Sequence, residues 1–170
     1  MEKIKTILAA LDFSEYSNAV IQHALEMTER YDGKLVIVNV INKRNINMMV
    51  EAKSKLAILD DHYKTTSDDF FRQLKDERTG LIREMLQKIG SHPPRTKIVI
   101  KIGNAPYQQL IEAVREEAAD VVIMGTKGRG NLADVLFGST AEKMFEYCPV
   151  SLFSIRLPDP KKKTDPAAGK

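Results

Sequence analysis

The chain has 170 residues, 43% of them hydrophobic, which suits one domain with a single sizeable core. Its formal charge is +3, but four lysines against two aspartates in residues 157–170 account for +2, and a body at +1 argues against a general nucleic-acid binder. The single cysteine, Cys148, excludes an intramolecular disulfide, and without an apolar signal core or a run of about 18 apolar residues we expect a cytoplasmic protein with no membrane partner.

The first predicted strand runs from Ile4 to Leu11 and is mostly apolar, as expected of a strand covered on both faces. Asp12 follows at its carboxyl end. Ser14 is predicted to cap the next helix, which ends before Asp32-Gly33. The residues that recur at helical spacing in it are Val20, Ile21, Ala24, Leu25 and Thr28.

The second predicted strand covers Lys34 to Ile41 and is again a near-continuous apolar run. A long segment follows from Asn42 to Thr79, with eight Lys or Arg against seven Asp or Glu. Part of it, roughly Ile46 to Leu59, reads as a helix, and a second helix is predicted to start at Ser67.

The helix from Ser67 carries an apolar stripe and ends at Gly90, with Asp68 near its positive N-terminal end. Arg78 and Gly80 interrupt the stripe, so the segment is read as one helix with a break at Thr79 as the alternative. The stripe consists of Phe70, Phe71, Leu74, Leu81, Ile82, Met85, Leu86 and Ile89.

The third predicted strand, Lys97 to Ile102, has the sequence Lys-Ile-Val-Ile-Lys-Ile, and its two lysines on one face suggest a sheet edge. Gly103 turns the chain, Asn104 is predicted as the cap of the next helix, and Pro106 fits its first turn. The buried stripe of that helix is predicted to be Leu110, Ile111, Val114 and Ala118.

The fourth predicted strand, Asp120 to Met124, leads into a glycine-rich loop, and Ser139-x-x-Glu142 has the spacing of a capping box for the next helix. A fifth strand is predicted from Pro149 to Arg156. Residues 157–170 carry too little apolar surface to pack and are read as a flexible basic tail after a single domain of residues 1–156, in which about 42–79 is an inserted segment.

The alternation of strands and helices predicts an α/β fold, a doubly wound parallel sheet with helices on both faces. If the edge-like third strand lies outermost, the five strands take the order 3-2-1-4-5. The topological switch then falls between strands one and four, where open α/β sheets bind ligands. Asp12 and Gly125 are both expected to flank it.

A glycine loop before a helix predicts a phosphate cradle, because backbone amides approach an anion closely and the helix N-terminus adds partial positive charge. Asp12 is expected to bind ribose hydroxyls, and the backbone from Asn39 to Ile41 an adenine edge. The candidate nucleotide-binding residues are Ala10, Asp12, Val40, Met124, Gly125, Gly128, Arg129, Gly138, Ser139 and Thr140.

Each of these residues also has a plainer interpretation. The glycines can serve only to form a tight turn. Asp12 can serve only to start the helix that follows it, and Ser139 can be only the N-cap of its helix. Lys127 and Arg129 can be solvated side chains. The run Asp60-Asp61-His62 reads as a solvated face, so no metal site on the protein is predicted, and magnesium is expected to arrive on the phosphates.

The sequence resembles the universal stress protein family over nearly all of residues 1–156. The nucleotide-binding branch of that family carries a Gly-x2-Gly-x9-Gly-Ser/Thr pattern, which here is Gly125, Gly128, Gly138 and Ser139. Leu11-Asp12-Phe13-Ser14 is similar to the end of the family's first strand, and Cys148-Pro149-Val150 is similar to the lead into its last.

The resemblance implies a Rossmann-like domain of the adenine nucleotide alpha hydrolase type that binds ATP or AMP and forms homodimers, often through the last strand, here about Val150 to Ile155. It implies little about turnover, since hydrolysis in the family is weak, partner-dependent or absent. The leading hypothesis is a nucleotide-binding regulatory module of the stress response, with a protein partner still unidentified. The alternatives are a slow ATP hydrolase and a dimerisation scaffold that binds no nucleotide.

Overall fold

The computed structural model describes residues 4–44, 46–48, 67–90, 95–128 and 137–157. These residues form one sheet of five parallel strands in the order β3-β2-β1-β4-β5, which confirms the predicted α/β fold and its strand order. The strands are β1 (Thr6–Leu11), β2 (Lys34–Asn42), β3 (Thr96–Gly103), β4 (Val121–Gly125) and β5 (Ser151–Ile155).

Helices connect the strands and cover both faces of the sheet. Their bounds are α1 (Ser17–Tyr31), α2 (Ser67–Ile89), α3 (Pro106–Glu116) and α4 (Ser139–Tyr147). Residues 43–44 and 46–48 are also helical, while the rest of the predicted helix at 46–59 and the tail after 157 lie outside the described residues. Helix α2 runs through Thr79 without a break, and Gly90 ends it in a left-handed conformation (φ 76°).

Two buried layers flank the sheet because neighbouring residues of a strand face opposite sides. Ile7 and Ile123 pack with α1 and α2 on one side, and Leu8 and Val122 pack with α3 and α4 on the other. All four side chains are 0% exposed. Continuous apolar strands are therefore buried on both faces, as the sequence pattern indicates.

Several predicted helix details are wrong. Helix α1 begins at Ser17 with Tyr16 rather than Ser14 in the capping position, although Ser14 Oγ accepts a hydrogen bond from Tyr16 N–H at 3.4 Å. Helix α3 is capped at Ala105 rather than Asn104, and neither capping residue makes a side-chain capping bond. Ala118 is exposed with φ 47° and lies outside α3, whose buried residues are Leu110, Ala113 and Val114. In α2 Leu81 is 37% exposed, so the buried stripe is narrower than predicted.

Ion pairs line the β3 edge of the sheet. Lys101 Nζ lies 3.0 Å from Glu112 Oε2 and 2.7 Å from Glu116 Oε2. Glu117, whose side chain is only 8% exposed, accepts hydrogen bonds from Lys97 and Lys34. These contacts tie β2 and β3 to the end of α3. No helix of the described residues has the length and apolar character needed to cross a membrane.

We expect Glu117→Gln to lower the free energy of unfolding by about 1 kcal/mol at pH 7, since both lysines stay partly solvated. The hydrogen bonds from Lys97 and Lys34 lower the pKa of Glu117 below 4.5. Their contribution is therefore complete above pH 4.5 and is lost as the pH falls through the lowered pKa. Urea unfolding of both proteins between pH 3 and 7 measures this difference.

Glu146→Gln is the matched control, because Glu146 pairs with Lys143 on an exposed face of α4. We expect no measurable change in its unfolding free energy. A Glu117→Gln deficit that stayed constant down to pH 3 would contradict the role given to the charged carboxylate.

Candidate functional site

The candidate site lies at the carboxyl end of the sheet, where the direction of strand addition reverses. Strands β1 and β4 are parallel neighbours, with Ala10 opposite Met124. Helix α1 follows β1 on one face of the sheet, and α4 follows β4 on the other. The connections leaving β1 and β4 thus diverge above the same two strand ends, which is the position where such sheets bind ligands.

The turn after β1 holds the carboxylate of Asp12 in a defined position. Asp12 Oδ1 accepts a hydrogen bond from the backbone N–H of Ser14 at 3.0 Å. Between them Phe13 has φ 60°, in the left-handed region that residues with a side chain seldom occupy. Asp12 does not cap α1, whose capping position is Tyr16. The carboxylate therefore orders the turn and not the helix start.

Gly128 brings the glycine loop against this carboxylate. A Cβ placed on Gly128 would lie 2.6 Å from Asp12 Oδ2, closer than a real Cβ atom approaches a neighbour. Only glycine permits this contact without a shift of the loop or of Asp12. Two residues identified separately in the sequence, one after β1 and one after β4, therefore meet directly.

The loop is closed at its base by backbone hydrogen bonds. Gly138 N–H donates to the carbonyl oxygen of Thr126 at 2.9 Å, and Thr126 N–H donates to the carbonyl oxygen of Ile155 at 2.9 Å. A Cβ on Gly138 would lie 3.5 Å from the backbone nitrogen of Gly128, which is an ordinary contact distance. Gly138 and Gly128 are thus neighbours in space, and both ends of the loop are anchored to the sheet.

Gly125, the last residue of β4, packs beneath the start of α1. A Cβ there would lie 2.7 Å from Cβ of Tyr16, a side chain that is 6% exposed. This glycine therefore serves the close packing of β4 against α1, and sequence reasoning did not identify Tyr16 as its neighbour. No local pattern marks that contact, since the two residues belong to different strand–helix units.

Ser139 and Thr140 form the start of α4. The predicted capping box is wrong, because Gly138 occupies the capping position with an extended backbone (φ −72°, ψ 155°) and Ser139 is the first helical residue. Ser139 does not cap the helix and is exposed, and Thr140 is half-buried. The first amides of a helix lack intrahelical acceptors, so this end of α4 offers N–H donors and two hydroxyls to an anion.

Ala10, Val40 and Met124 lie at the ends of β1, β2 and β4. All three pack on the face of the sheet that α3 and α4 cover, with Ala10 and Val40 half-buried and Met124 6% exposed. They therefore share a face with the start of α4. Lys127 is half-buried in the loop, while Arg129 lies outside the described residues.

Sequence reasoning missed the side chain of Asn39. Its Nδ2 donates a hydrogen bond to the carbonyl oxygen of Leu11 at 2.8 Å, and the residue is 2% exposed. The amide thus supports the last residue of β1, directly before Asp12. The sequence signal for this contact is a polar residue inside the apolar run of β2. The prediction for Asn39 concerned only its backbone.

The arrangement suits a ligand with a phosphate and a polar sugar. A carboxylate held at the strand end accepts hydrogen bonds from hydroxyl groups, and amides at the start of α4 donate to phosphate oxygens. Within the described ranges no three His, Cys, Asp or Glu side chains come together as a metal site, and Asp60-Asp61-His62 lies outside those ranges.

Comparison with known proteins gives a consistent match along most of the chain. The model of the universal stress protein family matches residues 3–156. Universal stress protein MJ0577 of Methanocaldococcus jannaschii is 23% identical over 146 residues, which cover 84% of this chain and 88% of the relative. Its structure superposes with a TM-score of 0.74 at 20% identity, covering 93% of this chain and 99% of that one.

Two other similar structures contain nucleotides. The universal stress protein of Archaeoglobus fulgidus in complex with dAMP has a TM-score of 0.57 at 14% identity, covering 92% of this chain and all of that one. A universal stress protein in complex with cAMP has a TM-score of 0.56 at 16% identity, covering 91% of this chain and 98% of that one. At these identities the structural likeness establishes the shared fold.

Proposed function

The chain belongs to the universal stress protein family, and from that premise we propose that it is an adenine-nucleotide-binding regulatory module that works as a homodimer. The nucleotide is ATP or AMP, with its phosphates at the start of α4 and its ribose near Asp12. Adenine lies beside the ends of β1 and β2, near Ala10 and Val40. We propose further that residues 1–156 form the nucleotide-binding domain.

The observation that carries this proposal is the contact of Gly128 with Asp12. A Cβ at Gly128 would lie 2.6 Å from Asp12 Oδ2, so the loop and the carboxylate are fitted to one another. A glycine that served only a tight turn would need no such partner across the sheet. Gly138 lies next to Gly128 and leaves the start of α4 clear of a side chain at the capping position.

The neighbours support the ligand class. Two structures with the same fold hold dAMP and cAMP, which are adenine nucleotides with a single phosphate. The exposed first residue of α4 and the half-buried Thr140 fit a phosphate group there. A magnesium ion would be held mainly by phosphates and water. Asp12 is the carboxylate that lies beside the described part of the loop.

Binding rather than turnover is the proposed role. Asp12 Oδ1 already accepts a hydrogen bond from Ser14 N–H, and its other oxygen faces the backbone of Gly128. A carboxylate held this way suits the binding of hydroxyl groups better than the activation of an attacking water.

The proposed dimer forms through β5. This strand pairs with β4 on one side, and its sequence Ser-Leu-Phe-Ser-Ile carries no charge. Phe153 at its centre is 47% exposed and Ser154 is exposed. An uncharged edge with an exposed aromatic residue is a template for pairing with a second strand. A homodimer that binds nucleotide would exist in two states, nucleotide-bound and nucleotide-free, which a partner protein could distinguish.

Mass spectrometry of small molecules released from the freshly purified, denatured protein tests the ligand directly. We expect ATP or AMP in an amount close to one per chain. Protein freed of ligand should bind AMP and ATP with dissociation constants of about 1 to 100 µM in calorimetry, and GTP at least about tenfold more weakly. Recovery of no nucleotide, together with no heat on addition of ATP or AMP, would reject the proposal in favour of a nucleotide-free scaffold.

A further inference from the structure

Helix α2 contacts the turn that carries Asp12. The guanidinium carbon of Arg78 lies 4.9 Å from the centroid of the Phe13 ring. This is within the distance at which a guanidinium ion is attracted to an aromatic face. Arg78 is one of the two residues that interrupt the apolar stripe of α2, so the contact gives a polar residue at that position a role.

Phe13 needs support because of its backbone. Its φ of 60° is a conformation that a residue with a bulky side chain adopts only when its surroundings hold it. The ring packs against the core between the sheet and helices α1 and α2. The Arg78 guanidinium lies over this ring. The helix that carries Arg78 is held against the core, since Ile82, one helical turn later, is 0% exposed.

The conformation of Phe13 determines where the Ser14 amide lies relative to the Asp12 carboxylate that it holds. Phe13 lies between Asp12 and Ser14, which are joined by the 3.0 Å hydrogen bond from Ser14 N–H to Asp12 Oδ1. A change of Phe13 to an ordinary negative φ would rotate one residue relative to the other and break this bond. Asp12 Oδ2 would then leave its position beside Gly128.

We propose that Arg78 is a positioning residue of the nucleotide site, which holds Phe13 in its left-handed conformation and thereby aims Asp12 at the glycine loop. The inference rests on the proposed function of that site and extends it to helix α2. Because coupling between two sites is reciprocal, a nucleotide held by Asp12 also stabilises the contact between α2 and the turn.

The test compares Arg78→Met with Arg83→Met, a control that removes an exposed arginine from the same helix. We expect Arg78→Met to weaken AMP binding about three- to tenfold in calorimetry. In the ligand-free protein we expect the Ser14 amide to exchange with solvent several-fold faster, measured by NMR. Arg83→Met should leave both quantities as in the wild type. Arg78→Lys should restore part of the affinity, because lysine keeps the charge but not the planar stacking group.

A double-mutant cycle separates positioning from general packing. Phe13→Leu removes the ring, so Arg78→Met should add little further loss of AMP affinity in that background. A lower melting temperature of Arg78→Met with unchanged AMP affinity and unchanged Ser14 exchange would overturn the inference. If the wild type binds neither AMP nor ATP, the proposed function fails, and Ser14 exchange alone decides whether Arg78 holds the turn.

Discussion

Replacement of Gly128 by alanine is expected to weaken AMP and ATP binding by about 10- to 100-fold, the cost of losing one hydrogen bond to a charged group. The added methyl group would lie 2.6 Å from Asp12 Oδ2. The Asp12 side chain is held in place, because its Oδ1 accepts a hydrogen bond from Ser14 N–H. Gly128 must shift instead, and it lies next to Gly138 at the start of α4, where the proposal places the phosphates. Calorimetric titration with both nucleotides measures the effect.

Gly80→Ala is the matched control for this substitution. Gly80 lies inside α2, and a Cβ added there would meet nothing within 4 Å beyond its chain neighbours and the backbone of its own helix. We expect its nucleotide affinity to equal that of the wild type, and its unfolding free energy to rise by about 0.5–1 kcal/mol. Gly128→Ala should unfold at nearly the wild-type temperature, since Gly128 is half-buried in a loop. Unchanged nucleotide affinity in Gly128→Ala would show that the loop is not part of the nucleotide site.

Replacement of Phe153 by glutamate is expected to convert the proposed dimer to monomers, with a dissociation constant at least about 100-fold higher. Phe153 is the middle residue of β5, so two antiparallel copies paired about a two-fold axis there would place both glutamates side by side. Each chain should still fold, because the Phe153 side chain is 47% exposed, with its ring centroid 6.0 Å from that of His23 in α1. Sedimentation velocity over a range of concentrations measures the change.

Leu81→Glu serves as the control for the charge itself. Leu81 is 37% exposed on α2, away from β5, so the same substitution there should leave the oligomeric state unaltered. A Phe153→Glu protein that sediments as a dimer would place the interface elsewhere. A wild-type monomer at all concentrations would reject the homodimer.

The strands and their order were predictable because each depends on a local pattern. The apolar runs of β1, β2 and β4 indicate strands buried on two faces, and the lysines at 97 and 101 indicate an edge. Helix starts were less predictable. Ser14, Asn104 and Ser139 are residue types that favour caps, but the helices begin at Ser17, Pro106 and after Gly138. A cap depends on backbone angles that the residue type alone does not determine.

Part of the candidate site was also predictable, because the strand order brings Asp12 and the glycine loop to one edge. The contact of Gly128 with Asp12 agrees with that expectation. The supporting residues were not predictable. Phe13 takes a left-handed conformation with Arg78 above it, and Asn39 holds the carbonyl of Leu11. These are contacts between residues far apart in sequence, and no spacing within one element indicates them.

The paired lysines on β3 would limit the size of the proposed assembly. A sheet with two open edges would let copies add without end, as a ribbon or fibre. Here Lys97 and Lys101 lie on the β3 edge with their glutamate partners, and charges on an edge strand discourage further pairing. Under the proposed pairing, the β5 edge of the described sheet would accept one copy, and a surface that pairs with itself cannot accept a second. The proposed dimer would then hold one sheet of ten strands from two chains.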